Sequence, residues 1–424
     1  MAIVTTASVG SAPSDLSALR ADFPILSARD DPQRLVYLDS ASSAQRPQAV
    51  LDAMDRYYET THANVHRGVY AIAEEATRQF ELARRCVGTF VNAPNPSTEI
   101  VFTKNATEAL NLVAASYGRH LLARGKAVLL TEMEHHANLV PWLMLAEERG
   151  VELRYLPMGD DFRLDLSELD RLMDGVGLVG VTCMSNVLGT IPDLSAIVAA
   201  AHAEGAVVVG DGSQLVPHRR VDVGALGVDF LAFTGHKMLG PTGIGVLWGR
   251  ESLLEAMPPF LGGGEMIRDV RLDGFTPNDL PWKFEAGTPP IAEAIGLSAA
   301  VDYLGAVGMD RIEAHESALT TFAIGYLEDR HGPALKIFGP PPDPSGRSRG
   351  GVLSLALGDL HAHDVAQVLD ADRVCVRAGH HCAKPLMRRL GVPATARASL
   401  YLYNGEDDIA ALSGALCKAA AFFA

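Results

Sequence analysis

Cysteine is scarce in this chain: Cys86, Cys183, Cys375, Cys382 and Cys417 are the only five in 424 residues. They are too few and too scattered for a disulfide framework or a zinc site, so each is core filler or a reactive thiol in a reducing compartment. Positive charge is in deficit, with 36 Lys and Arg against 51 Asp and Glu, a formal net charge of −15. That balance argues against nucleic acid, or an anionic membrane surface, as the main partner. No apolar run approaches the roughly 18 residues that span a bilayer. Residues 1–20 have neither a basic start nor an apolar block, so no secretory signal is expected. No nucleic acid, no membrane and a cytoplasmic location are the expectations. Apolar material, by contrast, is plentiful: 48% of residues are hydrophobic and 21% charged, enough for sizeable cores in two or three domains.

Residues 1–30 are rich in Ala, Ser and Asp and read as a loose arm. Beyond them, short β-branched runs alternate with amphipathic stretches. The spacing predicts strands at Ala127–Thr131, Glu152–Leu156, Leu178–Thr182, Ala206–Gly210, Phe230–Thr234 and Gly245–Trp248, with helices such as Leu139–Arg149 and Leu194–Glu204 between them. Strands alternating with helices in this way predict an α/β fold with a mainly parallel sheet covered on both faces. Pro and Gly cluster at Met257–Gly264, Gly287–Pro290 and Gly339–Gly346, which read as a mobile loop, a passage between domains and a second loop.

Several residues can carry chemistry. Lys237 follows an apolar strand in Phe-Thr-Gly-His-Lys-Met-Leu-Gly-Pro-Thr-Gly. A lone lysine there is most often solvated surface, but a partly desolvated one at a strand's carboxyl end suits Schiff-base chemistry. Asp211 ends the run Val-Val-Val-Gly-Asp, where α/β proteins bind ligands. It is either an ordinary turn aspartate or a partner for a pyridinium nitrogen, with Gln214 in reach of the same ring. Asn105 and Glu108 have capping-box-like spacing at a helix start, and Leu110, Val113, Ala114, Tyr117 and Leu121 form its apolar stripe. Free N–H groups there favour a phosphate, although most capped helices bind none.

His135 and His136 stand side by side, but no third or fourth ligand lies at useful spacing, so no metal is expected. A ring stacked on a planar cofactor, doubling as acid or base, is the sharper reading. Cys382 sits in Arg377-Ala-Gly-His-His-Cys-Ala-Lys-Pro, a cationic setting that favours the nucleophilic thiolate. Cys375 is expected to share a strand face with Arg377. Arg397 is either a structural arginine or a bidentate partner for a substrate carboxylate.

In order and spacing these blocks resemble the fold-type-I, class V aminotransferase-like enzymes that use pyridoxal 5'-phosphate (PLP), and among them the group II (SufS-type) cysteine desulfurases. The match runs from about Phe23 to Tyr403. It includes Tyr37-Leu-Asp-Ser-Ala, Ala63-Asn-Val-His-Arg-Gly, Glu132-Met-Glu-His-His-Ala-Asn, Ser185-Asn-Val-Leu-Gly-Thr, Gly262-Gly-Gly-Glu-Met-Ile, Phe284-Glu-Ala-Gly-Thr-Pro and Arg397-Ala-Ser-Leu-Tyr-Leu-Tyr-Asn.

The resemblance implies an arm (1–30) packing on a small domain, a large PLP-binding domain with a seven-stranded sheet (31–292), and a small C-terminal α/β domain carrying the cysteine loop (293–424). It implies that Lys237 holds PLP as a Schiff base, His135 stacks on the ring, Asp211 pairs with its nitrogen and Gln214 contacts its 3-hydroxyl. Thr107, Thr234, His236 and the backbone at Ala106 would hold the phosphate, joined by Thr288 from the second subunit of a homodimer. Arg397, Asn186, Arg377 and His66 would bind L-cysteine, and Cys382 would take its sulfur as a persulfide. A SufE- or SufU-like acceptor and SUF scaffold proteins would then use that sulfur for iron–sulfur cluster assembly. Selenocysteine lyase is the alternative, sharing the fold and most of the site. Ser40, Ser42, Lys104 and Ala106 depart from the family pattern, Ala106 removing one possible phosphate hydroxyl. Thr234 keeps the hydroxyl of a usual serine, and Lys384 adds a charge beside Cys382.

Overall fold

The computed structural model describes residues 16–27, 34–343 and 346–423, so the first 15 residues of the expected arm lie outside it. Its centre is a seven-stranded sheet in the spatial order 100–103, 245–249, 230–234, 207–211, 176–182, 127–131, 153–156. Only Gly245–Gly249 runs against the others, pairing antiparallel with both neighbours. Most of these strands are apolar because both faces are covered, the edge strand 153–156, with Arg154 and an exposed Tyr155, being the exception. Leu129, Val179, Val208, Leu231 and Val246 enter one core, while Leu130, Leu178, Val209, Ala232 and Leu247 enter the other. Each such Leu or Val side chain contributes roughly 1.5–3 kcal/mol by leaving water.

Ala127–Thr131 and Phe230–Thr234 form as the pattern predicts. The strand expected at Leu178 begins earlier, at Val176, which pairs with Ala127. The strand expected to end at Gly210 runs on to Asp211, so that carboxylate is its last residue. The helix Ala106–Val113 departs further from expectation. It passes into a π turn at Ala114–Gly118, and Leu121 at the end of the predicted stripe is exposed rather than core-facing.

A second sheet, antiparallel, has the order 335–338, 352–357, 395–399, 377–379. Leu353, Leu355, Ala396 and Ala398 pack there under the helices Ala362–Ala371 and Glu406–Phe422. Cys375 does not share a strand with Arg377. It pairs with Tyr37 in a two-residue parallel ladder, whereas Arg377 opens the strand that pairs with Thr395–Ser399.

The helix Ile291–Val307 packs on Gln48–Thr60 and Ala71–Phe90 beside the large sheet, and Gly308 breaks it from Met309–His331. The described part of the arm is not loose: Leu16, Phe23 and Leu26 are buried, and the Phe23 ring meets Tyr403 edge-on at 4.8 Å. Tyr303 donates to Asp22 at 2.7 Å. Among the described residues no single helix is long and apolar enough to cross a membrane.

Candidate active site

The carboxyl ends of the parallel strands converge on one cavity of about 250 Å³. Residues following five strand ends line it: Ala106 and Thr107, His135, Asn186, Asp211 and Gln214, and Thr234, His236 and Lys237. This is where open α/β sheets place ligands, because the backbone diverges there and leaves unpaired N–H groups. Gly245 makes room for the first loop, since a Cβ on it would stand 2.3 Å from the backbone of Asn105. Asn105 caps its helix by accepting from Glu108 N at 2.9 Å, while the Glu108 carboxylate accepts from Lys104 N instead of returning to Asn105. Arg377, Cys382 and Arg397 close the cavity from the second sheet.

Desolvation sets the charges. Burial pulls the Lys237 ammonium down to about 8, against the pull of Asp211. Burial, reinforced by the Lys237 charge, lowers His135 to about 4 and His236 to about 4. Burial, reinforced by the Arg397 charge, takes His381 to about 3. These rings are therefore neutral at pH 7. His135 Nδ1 accepts from Ala137 N at 3.0 Å, which puts the proton of the neutral ring on Nε2.

The loop bearing Cys382 is held by three hydrogen bonds from the large-sheet side. Asn186 Nδ2 donates to His381 O at 2.7 Å, His136 N to Cys382 O at 2.7 Å, and Lys384 N to His136 Nε2 at 3.1 Å. They oppose the strain of two consecutive left-handed residues, His381 (φ 51°) and Cys382 (φ 54°), each costing of order 1 kcal/mol. The Cys382 side chain is left exposed at the mouth of the site.

Two positions that shape the cavity were not singled out from sequence. Asp39 Oδ1 lies 3.3 Å from Arg397 Nη2 and its Oδ2 3.3 Å from Arg377 Nε, so one carboxylate bridges both arginines. Its Leu-Asp-Ser block was legible as a motif, but only the bridge between Asp39 and Ser399 shows which side chains it meets. Glu134 is buried beneath His135 and accepts from Thr131 Oγ1 (2.7 Å), Asn138 Nδ2 (2.7 Å) and Thr182 N (2.8 Å), tying two strand ends together. Burial pushes its carboxyl up to about 8 despite those donors.

Two predicted residues are not brought to the cavity within one chain. Thr288 lines a separate cavity with Lys104, Gly243 and Glu293. His66, expected against the substrate, has its ring nitrogens facing Glu81 at 2.9 Å and Glu265 at 3.7 Å, with Trp282 edge-on. Those carboxylates, not the cavity, hold its ring. Asn186 lines the cavity, but its amide nitrogen is already committed to His381 O.

The residues present fit a PLP group. Gln214 donates Nε2 to Ala41 O at 2.7 Å while its buried Oε1 has no partner, and the buried Nε of Arg397 is likewise unmatched. Both residues line the cavity, so a group bound there can supply the missing bonds.

A lysine-bearing cavity at the switch between parallel strands, closed by a second α/β unit, defines a fold-type-I PLP enzyme. The aminotransferase class-V family model matches residues 36–412, and the chain belongs to that family. Within it the chain falls among the cysteine desulfurases. It is 51% identical over 96% of its length to a probable cysteine desulfurase of Streptomyces coelicolor, covering 98% of that protein. It is 50% identical to a cysteine desulfurase of Dickeya dadantii, covering 93% of this chain and 94% of the other. The apo structure of a cysteine desulfurase from Thermococcus onnurineus superposes with a TM-score of 0.88 at 40% identity, covering 95% of this chain and 97% of that one. Enzymes of this family use PLP.

Proposed function

We propose that this chain converts L-cysteine to alanine and holds the released sulfur as a persulfide on Cys382, as a group II desulfurase working as a cytoplasmic homodimer. The observation that carries the proposal is the meeting of Lys237, Arg397 and Cys382 on one cavity although they come from two different sheets. The division into arm 1–30, large domain 31–292 and small domain 293–424 belongs to the same proposal, with the helix Ile291–Val307 as the link.

The holding set for PLP is Lys237, Asp211, Gln214 and His135, with Thr107, Thr234, His236 and the backbone of Ala106 for the phosphate and Thr288 from a second copy. Bound PLP supplies an electron sink that makes the Cα proton of an amino acid removable. Asp211 favours the protonated ring by its charge. Arg397 offers its unmatched Nε to the substrate carboxylate, with Arg377 beside it at the mouth. Lys237, near half-neutral at pH 8, takes the Cα proton and later returns a proton to carbon.

Cys382 Sγ, as thiolate, attacks the substrate sulfur. The new S–S bond forms as the substrate C–S bond breaks, and the carbon skeleton leaves as alanine. The neutral, buried rings of His135 and His381 avoid placing extra positive charge against Lys237. Because Cys382 is exposed, its persulfide is open to a SufE- or SufU-like acceptor that feeds SUF scaffold proteins.

Alanine released from L-cysteine, with PLP and a reductant present, tests the proposal. Lys237→Ala should release none, and Cys382→Ser should keep the cofactor colour while losing at least a hundredfold in rate. Parental release by Lys237→Ala would overturn the assignment.

A further inference from the structure

His136 stands beside His135 with no third or fourth ligand at useful spacing in sequence, yet the fold supplies two donors from the far end of the chain. One donor atom each from His136, His380 and Cys382 lies within 4.8 Å of the other two. The two imidazole rings are 5.6 Å apart and tilted by 34°. Both rings turn a lone pair, not a proton, toward the Cys382 turn: Lys384 N donates to His136 Nε2 and Cys382 N to His380 Nδ1, each at 3.1 Å. His135 takes no part, because it is not among the residues whose donor atoms meet there. Two imidazole nitrogens and one thiolate form the ligand type chosen by zinc and similar borderline divalent cations, and the exposed sulfur leaves an entry path.

We propose that His136, His380 and Cys382 form a site for a Zn²⁺-like cation, with water as the fourth ligand, and that the bound ion caps the nucleophile. The capping consequence rests on Cys382 being the sulfur acceptor; the site itself does not. On binding, the Cys382 S–H bond breaks, its proton passes to solvent and its electron pair forms the metal–sulfur bond. No atom changes oxidation state. The two backbone N–H groups give up their ring acceptors to the ion and turn to water. Donors of a tetrahedral zinc site stand about 3.3–3.8 Å apart, so the turn must close by about 1 Å. A site of three protein donors and one water releases its ion more readily than a closed four-ligand site, which makes the block reversible. Zinc bound here blocks persulfide formation, because it engages the Cys382 electron pair that would attack the substrate sulfur, and without a persulfide no sulfur reaches the acceptor.

The test uses the PLP-loaded protein in a phosphine reductant, titrated with Zn²⁺ against a chromophoric chelator. Cys382 alkylation by iodoacetamide is followed by peptide mapping, with Cys417, which is also exposed, as the internal reference. The parent should bind one zinc per chain, and zinc should slow Cys382 alkylation at least tenfold while leaving Cys417 unchanged. His136→Asn and His380→Asn should each weaken zinc binding at least tenfold. Cys382→Ser, which keeps both backbone hydrogen bonds and so controls for a disturbed turn, should do the same. Unchanged affinity in Cys382→Ser or in both histidine variants, or alkylation insensitive to zinc, would overturn the site. Neither readout depends on desulfuration, so failure here and failure of the proposed activity are told apart.

Discussion

The side chain of Asn186 donates to the backbone carbonyl of His381 at 2.7 Å, tying the loop after one strand of the large sheet to the residue before the exposed thiol. The carbonyl of the same Asn186 accepts from Arg397 Nη1 at 2.9 Å. One loop residue thus sets the positions of Arg397 and Cys382, the proposed carboxylate binder and sulfur nucleophile, together. Removing the side chain as Asn186→Ala deletes a bond contributing roughly 0.5–1.5 kcal/mol. Persulfide formation should therefore slow by about 2- to 12-fold at unchanged cofactor content. Single-turnover alanine release measures this, and a variant as fast as the parent would show that the tie does not position the thiol.

The one carboxylate of Asp39 offsets only part of the charge of the two arginines it bridges. Asp39→Asn keeps an acceptor for Arg397 but removes the charge that competes with an incoming carboxylate. Binding of L-alanine, the product that lacks sulfur, should tighten about threefold or more, read from the cofactor spectrum. Weaker binding would mean that alignment of the guanidinium by Asp39 outweighs competition.

In its proposed role of holding PLP, Lys237 would have to be uncharged to react with the cofactor's aldehyde. With its ammonium lowered to about 8 by burial, about a tenth of the amine is neutral at pH 7, against about one part in three thousand for an ordinary lysine. Protonation removes the nucleophile, so uptake falls as pH drops below that value. Uptake of PLP by the cofactor-free protein should rise about tenfold from pH 6 to 7 and level off above 8. A rate still climbing toward pH 10 would place the lysine in water.

Arg84 and Glu285 form a buried pair with Nη1–Oε1 at 2.6 Å, and they also bond Ile100 O and Phe102 N, pinning the edge strand of the large sheet. Glu285→Ala would leave a buried guanidinium without its main partner, a loss of about 3–5 kcal/mol. Replacing both, as Arg84→Met with Glu285→Leu, should recover much of it. Urea unfolding of the three proteins tests this, and a double variant no better than the single one would contradict it.

What could be read ahead of the structure was what local sequence determines. The apolar runs at Phe230–Thr234 and Ala127–Thr131 are fully buried strands, and long β-branched stretches have few other outcomes. Asp211 ends such a strand, and Lys237 and His135 come within four residues of one, so their convergence came with the sheet. Leu121 was misplaced because a π turn, set by packing and invisible to a 3.6-residue period, rotates it into solvent. The link from Asp39 to Arg377 and Arg397, and that from His136 to His380, join residues hundreds of positions apart, and single-chain patterns carry no signal for such pairs. His66, which the family resemblance alone had put at the substrate, lies apart from the cavity, as does Thr288, which the resemblance assigns to the site of a second subunit.

The most direct measurement is the mass of the Cys382 peptide after one turnover of the PLP-loaded protein with L-cysteine, quenched by a thiol-blocking reagent without reductant. The account predicts a gain of one sulfur atom on Cys382, on none of the other four cysteines, in step with one alanine released per active site. Alanine formed while the Cys382 peptide stays unchanged would contradict it.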